Sequence, residues 1–300
     1  MVLVTHNSSD VLGPCLESLR DTGADGVDLV EVVVVDNAST DRSAEIARSF
    51  DGLPVSVLEQ SENVGYAAGL NAGLAHLTST RPDAVLLLNP DCRVRAGALE
   101  RLVSALAEPG RGIVAPRLVN PDGSLQPTLR RAPSLAGVLA EAVLGGRVAD
   151  WLGVGELVFG EGPHDQPGRA SWVTGAALLM SWRMLESVGP WDEHFLLYSE
   201  ETEYMLRAAD LGWATWYEPG AVVEHRGGES DVRPDLAALL SANKVDLFVR
   251  RNGPVRGLAY RVALLSGQLA RAAAGRPTAR AAVAALLLPS RRVTSLAQLR

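Results

Sequence analysis

Val30-Glu-Val-Val-Val-Val35 runs straight into Asp36-Asn-Ala-Ser-Thr-Asp41, and this junction decides the fold. A β-branched run of this kind suits a strand buried on both faces, as in a parallel sheet covered by helices. Ser39 or Thr40 then predicts the cap of a helix reaching residue 50. Outward from the junction the alternation repeats. Residues 2–5 read as a strand, and 10–20 as a helix with Leu12, Leu16 and Leu19 on one face. Strands at 55–58, 84–88 and 112–115 alternate with helices at 67–77 and 96–107. The pattern predicts an α/β fold with a mostly parallel central sheet and flanking helices, whose ligands bind at the carboxyl ends of the strands.

Beyond residue 116 the alternation fades. Asn120-Pro-Asp-Gly123 is a turn, and the glycine-rich 145–168 reads as a mobile loop. Residues 172–180 are strand-like, 213–217 and 221–224 read as two short strands, and 236–251 as a helix. The remainder predicts two helices broken near Gly275-Arg-Pro277.

The chemistry concentrates in Trp191 to Arg207, where Asp192, Glu193, Glu200, Glu201 and Glu203 crowd one aromatic turn entering a helix. Carboxylates packed this closely repel one another, so one can hold a raised pKa and serve as general base toward a hydroxyl. The bland alternative is Ser199 as a cap, glutamates at the helix dipole and a Glu203–Arg207 pair. Four other places carry polar groups at predicted strand ends. Asp36 suits a ribose or base edge. Asn63-Val-Gly65 with Gly69 and Asn71 offers amides and a close helix approach. Asp91, in the turn Asn89-Pro90-Asp91, could hold a hard cation or simply bond its own backbone. His225, before Arg-Gly-Gly228-Glu-Ser230, could ligate a metal or be structural. No GxGxxG follows the first strand, which argues against a dinucleotide site.

The 300 residues, 47% of them hydrophobic, can bury a substantial core. No run approaches the roughly 20 apolar residues of a membrane span, no signal peptide is read, and Cys15 and Cys92 suggest a reducing cytoplasm. The net charge of −7 hides an asymmetry. No acid follows Asp246, and ten arginines lie from Arg250 onward, leaving 18 basic against 35 acidic residues before them. The basic tail suits either an anionic membrane surface or helices packed on the body. Nucleic acid is disfavoured, because the acidic body repels it.

Together these segments resemble the family-two glycosyltransferases, which have the GT-A fold, and most of all their rhamnosyltransferase-like branch. The resemblance rests on Val4-Thr5-His6-Asn7-Ser8, Val34 to Asp41, Asn63-x-Gly65 with Gly69-x-Asn71, and Leu88-Asn89-Pro90-Asp91. It continues through Trp172-Val-x-Gly175-Ala, Trp191-Asp192-Glu193-x-Phe195, Tyr198-x-Glu200-Glu201 and His225-x-x-Gly228-x-Ser230. It implies inverting transfer of a sugar, best matched by rhamnose from dTDP-rhamnose, to a saccharide or lipid-linked acceptor of the cell envelope. Galactose, galactofuranose and N-acetylhexosamine donors are the rivals within the class, and a non-catalytic nucleotide-sugar-binding protein is the rival outside it.

The resemblance also implies roles. Thr5, Asn7, Asp36, Asn63, Gly65, Asn71, Asn89 and Asp91 would contact the nucleotide sugar. Asp91 and His225 would hold Mg²⁺ or Mn²⁺. Trp172, Gly175, Asp192 and Glu193 would shape the acceptor side. Glu201, with Glu200 as its substitute, would be the base. Asn89 stands where the family's DxD motif has its first acid, and Glu201 where an aspartate is usual. The expected organisation is a glycosyltransferase domain at 1–235, with a nucleotide half at 1–116 and an acceptor half at 117–235. A helical, arginine-rich extension follows at 236–300. A cytoplasmic enzyme, peripheral on the inner face of the plasma membrane, is the expectation.

Overall fold

A computed structural model describes residues 1–20, 26–227 and 233–288. Gly228 and Ser230, together with Arg291, Arg292 and Arg300, lie outside the described residues. The first half alternates β1 (Val2–Thr5), α1 (Ser9–Glu17), β2 (Val32–Asp36), α2 (Ser43–Arg48), β3 (Val55–Glu59), α3 (Tyr66–His76) and β4 (Ala84–Leu88). Then come β5 (Cys92–Val94), α4 (Ala98–Leu106), β6 (Arg111–Val119), β7 (Leu129–Arg130), α5 (Leu135–Leu144), α6 (Gly146–Trp151) and α7 (Glu161–His164). They are followed by β8 (Gly168–Ala170), β9 (Trp172–Val173), β10 (Ala177–Ser181), α8 (Trp182–Val188), α9 (Glu200–Asp210) and β11 (Ala214–His225). The chain closes with α10 (Pro234–Asn252), α11 (Pro254–Ala273) and α12 (Pro277–Leu287).

The main sheet has the order β3-β2-β1-β4-β10-β6-β11-β5, with β8 on β11. β3, β2, β1 and β4 are parallel, β6 and β11 are parallel, and β10 runs antiparallel between β4 and β6. The carboxyl ends of β1, β2, β4 and β11 therefore share one edge with the amino ends of β10 and β5. The valine-rich strands are buried on both faces, as their composition requires. Val2, Val4, Val33 and Val35 pack toward Leu70 and Tyr204, whereas Leu3, Val32 and Val34 pack toward Leu12 and Leu102. α3 lies so close that a Cβ on Gly69 would meet Val4 at 2.7 Å, and one on Gly73 would meet Val2 at 2.5 Å. Those small residues bring the helix onto the sheet, not onto a ligand.

Several expectations change. The glycine-rich stretch expected to be a loop contains α6 and α7, pinned by Asp150 on Arg131 at 2.9 Å and on the Phe159 N–H at 2.8 Å. The strand expected at 172–180 is two, broken at Thr174-Gly175-Ala176, with β9 leaving to pair with β7. Conversely, the two strands expected at 213–224 are one, with an irregularity between Glu218 and Val222 that keeps it on β6. Ser39 and Thr40 do not cap α2; they bond Asn7 instead.

The arginine-rich tail folds back. Phe248 of α10 and Tyr260 of α11 stack at 4.1 Å and bury Val138 of α5 between the helices. Arg250 pairs with Asp192 and Arg251 with Asp210, so these two charges face the body, while Arg261 donates to the Leu286 carbonyl within the tail. Among the described residues, no helix is long and apolar enough to cross a membrane.

Candidate active site

The strand edge assembles the polar groups in three linked patches. At β1 and β2, Thr5 and Asp36 stand side by side in register. Both are buried, and Thr5 Oγ1, Asp36 Oδ1 and Asn37 Oδ1 have no hydrogen-bond partner. Buried polar atoms left unpaired are costly, so three at one strand edge mark a place where a ligand supplies the missing bonds. Asp36 is not wholly free of local duty, because its Oδ2 accepts the Ser39 N–H at 3.0 Å. Asn37 donates to the Gly65 carbonyl at 2.9 Å, tying this patch to the start of α3.

The second patch lies where β4 ends. Asp91 Oδ1 is 3.4 Å from His225 Nε2, and Asp91 Oδ2 accepts the Gly227 N–H at 3.0 Å. His225 reaches this point because β11 pairs with β5, setting His225 opposite Cys92. Gln126 Nε2 donates to Asn120 Oδ1 at 3.2 Å, which orients the amide so that its Oε1 accepts from His225 Nδ1 at 2.6 Å. With Nδ1 as the donor to Gln126, the neutral ring could offer its Nε2 lone pair to a cation shared with Asp91, whereas the protonated ring donates from Nε2 to Asp91. Burial pushes the Asp91 carboxyl up, but His225 and the Gly227 N–H outweigh it and hold the group below the usual carboxylate range. A carboxylate oxygen and an imidazole nitrogen at this spacing fit a shared divalent ion, whose ligands stand roughly 3.0–3.4 Å apart for bonds near 2.1 Å. Cys92 completes a set of ligand atoms within 4.8 Å of one another. Its thiol donates to the Ala176 carbonyl at 3.4 Å and is pushed well above its ordinary pKa by burial, so it fits a core thiol better than a ligand.

The third patch is the glutamate pair at the start of α9. Glu200 is buried and Glu201 partly exposed. Desolvation pushes Glu200 well above the usual range, and the adjacent Glu201 charge adds to it. Desolvation also raises Glu201, but the Arg130 guanidinium and the Ser199 N–H pull it back. Both carboxyls are thus held above the usual range, Glu200 further than Glu201, and each leaves one buried oxygen, Oε2, without a hydrogen-bond partner.

The last two patches touch one cleft wall. A Cβ on Gly175 would lie 3.2 Å from Glu201 Cβ, and the next residue, Ala176, accepts the Asn89 N–H at 2.8 Å. Tyr66 lies among them: its hydroxyl reaches the Gly175 carbonyl at 3.5 Å, and burial followed by the Glu200, Glu201 and Asp91 charges pushes its phenol up. At Gly65, φ is +96° and a Cβ would strike the Leu196 carbonyl at 2.7 Å, so only glycine lets α3 meet the glutamate loop.

Other expected contacts are committed elsewhere. Asn71 accepts the Trp191 N–H at 2.9 Å and donates to the Trp191 carbonyl and to Glu193, so it latches a loop and is not free for a nucleotide. Asp192 is taken by Arg250 and the His194 N–H, and Glu193 by Asn71. Trp172 is buried, with its indole N–H on the Arg131 carbonyl, so it offers no face to an acceptor. Asn7 bonds Ser39 and Thr40, and Asn63 accepts the Gly65 N–H. Ser199 makes no side-chain cap, whereas Glu203 does pair with Arg207 at 2.8 Å. Sequence reading missed Asn37, Tyr66, Gln126 and Arg130. Only Asn37, beside Asp36, carried a local signal.

The family described as Glycosyl transferase family 2 matches residues 1–144. The chain is 30% identical over 232 residues to the N-acetylglucosaminyl-diphospho-decaprenol L-rhamnosyltransferase of Mycobacterium tuberculosis, covering 73% of this chain and 74% of that one. It is 25% identical over 181 residues to a low-salt glycan biosynthesis hexosyltransferase of Haloferax volcanii, covering 60% of this chain and 53% of that one. Among solved structures, a mannosyltransferase from Pyrobaculum calidifontis in complex with GDP-Man and Mn²⁺ matches with a TM-score of 0.57 at 20% identity. That match covers 94% of this chain and 77% of the other, and it shows a common fold.

Proposed function

This chain belongs to glycosyltransferase family 2 and has the GT-A fold, and from that premise we propose that it is an inverting, cation-dependent enzyme moving rhamnose from dTDP-rhamnose. The acceptor is a saccharide on a polyprenyl diphosphate or a growing polysaccharide of the cell envelope. The observation that supports this reading is the single wall joining Glu201, Gly175, Ala176, Asn89 and Asp91, on which Glu201 would be the base and Asp91 a cation ligand. The rhamnosyl and lipid-linked parts are supported by the name of the mycobacterial relative.

Thr5, Asp36 and Asn37 hold the nucleotide through their unpaired buried atoms. Asp91 and His225 would hold Mg²⁺ or Mn²⁺, which would supply positive charge at the diphosphate leaving group. Glu201 takes the proton from the acceptor hydroxyl as its oxygen attacks the anomeric carbon, and protonated Glu200 keeps Glu201 anionic and oriented. Arg130, near Glu201, favours the ionised base and gives the acceptor side a positive charge. Residues 1–116 serve the nucleotide, 117–235 the acceptor, and 236–300 form a helical extension.

Contact with an anionic membrane is part of the proposal, carried less by tail arginines than by exposed apolar side chains. Val143, Val148 and Trp151 on α5 and α6, and Val255, Leu258 and Val262 on α11, stand in solvent. Co-sedimentation of the full chain with phosphatidylglycerol vesicles, lost on Trp151→Glu, is the expected result. A panel of nucleotide sugars with and without Mn²⁺ tests the reaction. Turnover restricted to UDP-galactose or UDP-N-acetylhexosamines reassigns the donor. Nucleotide binding with no turnover on any donor defeats the enzymatic reading.

A further inference from the structure

The residues before Glu200 are in a conformation they would not choose alone. Tyr198 and Ser199 both have left-handed backbones, with φ of 67° and 76°. Neither is glycine, and such conformations persist only where the surroundings over-determine them. The determinant lies on α10, a helix the carboxylate cluster gives no reason to suspect. Asn243 Nδ2 donates to the Leu197 carbonyl at 2.9 Å and to the Tyr198 carbonyl at 3.0 Å. Three and seven residues on, the same face makes two more contacts. Asp246 pairs with His194 at 2.9 Å, and Arg250 with Asp192 at 3.0 Å while lying over the Phe195 ring. The spacing 243, 246, 250 follows the helical repeat, so one face of α10 runs antiparallel along the glutamate loop.

The Tyr198 carbonyl and the Ser199 N–H belong to one peptide unit, which is planar and trans, so they point in opposite directions. Asn243 grips the carbonyl, and the Ser199 N–H, at the other end of the plane, leads into the first turn of α9, where Glu201 stands two residues on. Holding one end of the plane aims the other. We propose that Asn243 is a positioning residue for the base: through the Tyr198–Ser199 peptide it fixes where Glu201 stands and sustains the strained turn that delivers it.

The inference rests on the proposed reaction, and its failure is separable from that of the reaction. Asn243→Ala removes both donors and adds no bulk. With nucleotide sugar and Mn²⁺, kcat of the full-length variant falls roughly 10- to 100-fold, the scale of a small misplacement of a reacting group. The nucleoside diphosphate affinity stays within about twofold by calorimetry, because the nucleotide patch is not touched. Adding Ser199→Gly removes the strain at one of the two positions, and the double variant recovers much of the lost kcat. A variant with the parent's kcat, or one whose nucleotide affinity falls with its kcat, overturns the clamp. So does a double variant no better than the single. A parent without turnover on any donor overturns the reaction and the clamp's role with it.

Discussion

His225 Nε2 lies 3.4 Å from Asp91 Oδ1 because the end of β11 is paired against the start of β5. The imidazole is held for this from behind, by Gln126 on Nδ1. Asp91→Ala should therefore remove Mn²⁺-stimulated turnover. Gln126→Leu, which touches no ligand atom, should weaken the Mn²⁺ requirement's midpoint by roughly 10- to 100-fold. Metal titration of activity, alongside calorimetry of Mn²⁺ binding with a nucleoside diphosphate present, reads both; an unchanged midpoint in Gln126→Leu counts against the histidine as a ligand.

Glu201→Gln should lower kcat by about 10²- to 10⁴-fold, the worth of a general base. Glu200→Gln retains a hydrogen-bond donor and should keep most of the activity. Because Glu200 is the neutral member while Glu201 ionises, the acidic limb of the rate profile should keep its apparent pKa in this variant. Equal losses in the two variants would show that the base is not Glu201 alone.

The same pair predicts a pH dependence of stability. Glu200 has a folded pKa raised by burial and by Glu201. Such a group contributes stability that is fully present below its unfolded pKa and is lost as pH rises toward the folded one. Melting temperatures of parent and Glu200→Gln should coincide near pH 4. At pH 8 they should separate by roughly 2–4 °C, with the variant higher. A parent as stable as the variant at pH 8 would mean the charge is not buried.

Thr5→Val replaces an unpaired buried hydroxyl with a methyl of similar shape. Leaving such a group unsatisfied costs about 1–3 kcal/mol. The variant should melt at or above the parent while binding the nucleotide about tenfold more weakly. A loss of stability would place the hydroxyl in a bond internal to the protein.

Gly175→Ala adds a methyl 3.2 Å from Glu201 Cβ and 3.5 Å from its Cγ, so the base must move by a few tenths of an ångström. About a tenfold fall in kcat, with donor affinity kept, is the expected result. Steady-state kinetics in the donor concentration separate the two.

The strand–helix alternation, and with it the α/β class, was legible because burial on both faces demands valine runs such as Val32–Val35 and helices demand a different period. Asp91, Glu201 and His225 were legible as candidates because each stands at the end of a strand or at a helix start. The partners of Trp172, Asp192 and Asn71 were not legible, for a shared reason. Each is an aromatic or polar residue in a suggestive stretch, but its partner (the Arg131 carbonyl, Arg250, Trp191) lies far along the chain. Nothing local tells a committed side chain from a free one.

Periodicity and turn chemistry are local, and they were enough to bring the carboxylates to one edge of a sheet and to place a helix after Ser199. How far each carboxyl is pushed above its usual range depends on groups distant in the sequence, with the Arg130 charge opposing the rise at Glu201 and burial driving it at Glu200. The aim of that base depends on Asn243, which packs against the loop only once α10 folds back across it. Protonation and orientation respond to charges and dipoles a few ångströms away in space, and the linear order of residues does not encode that distance.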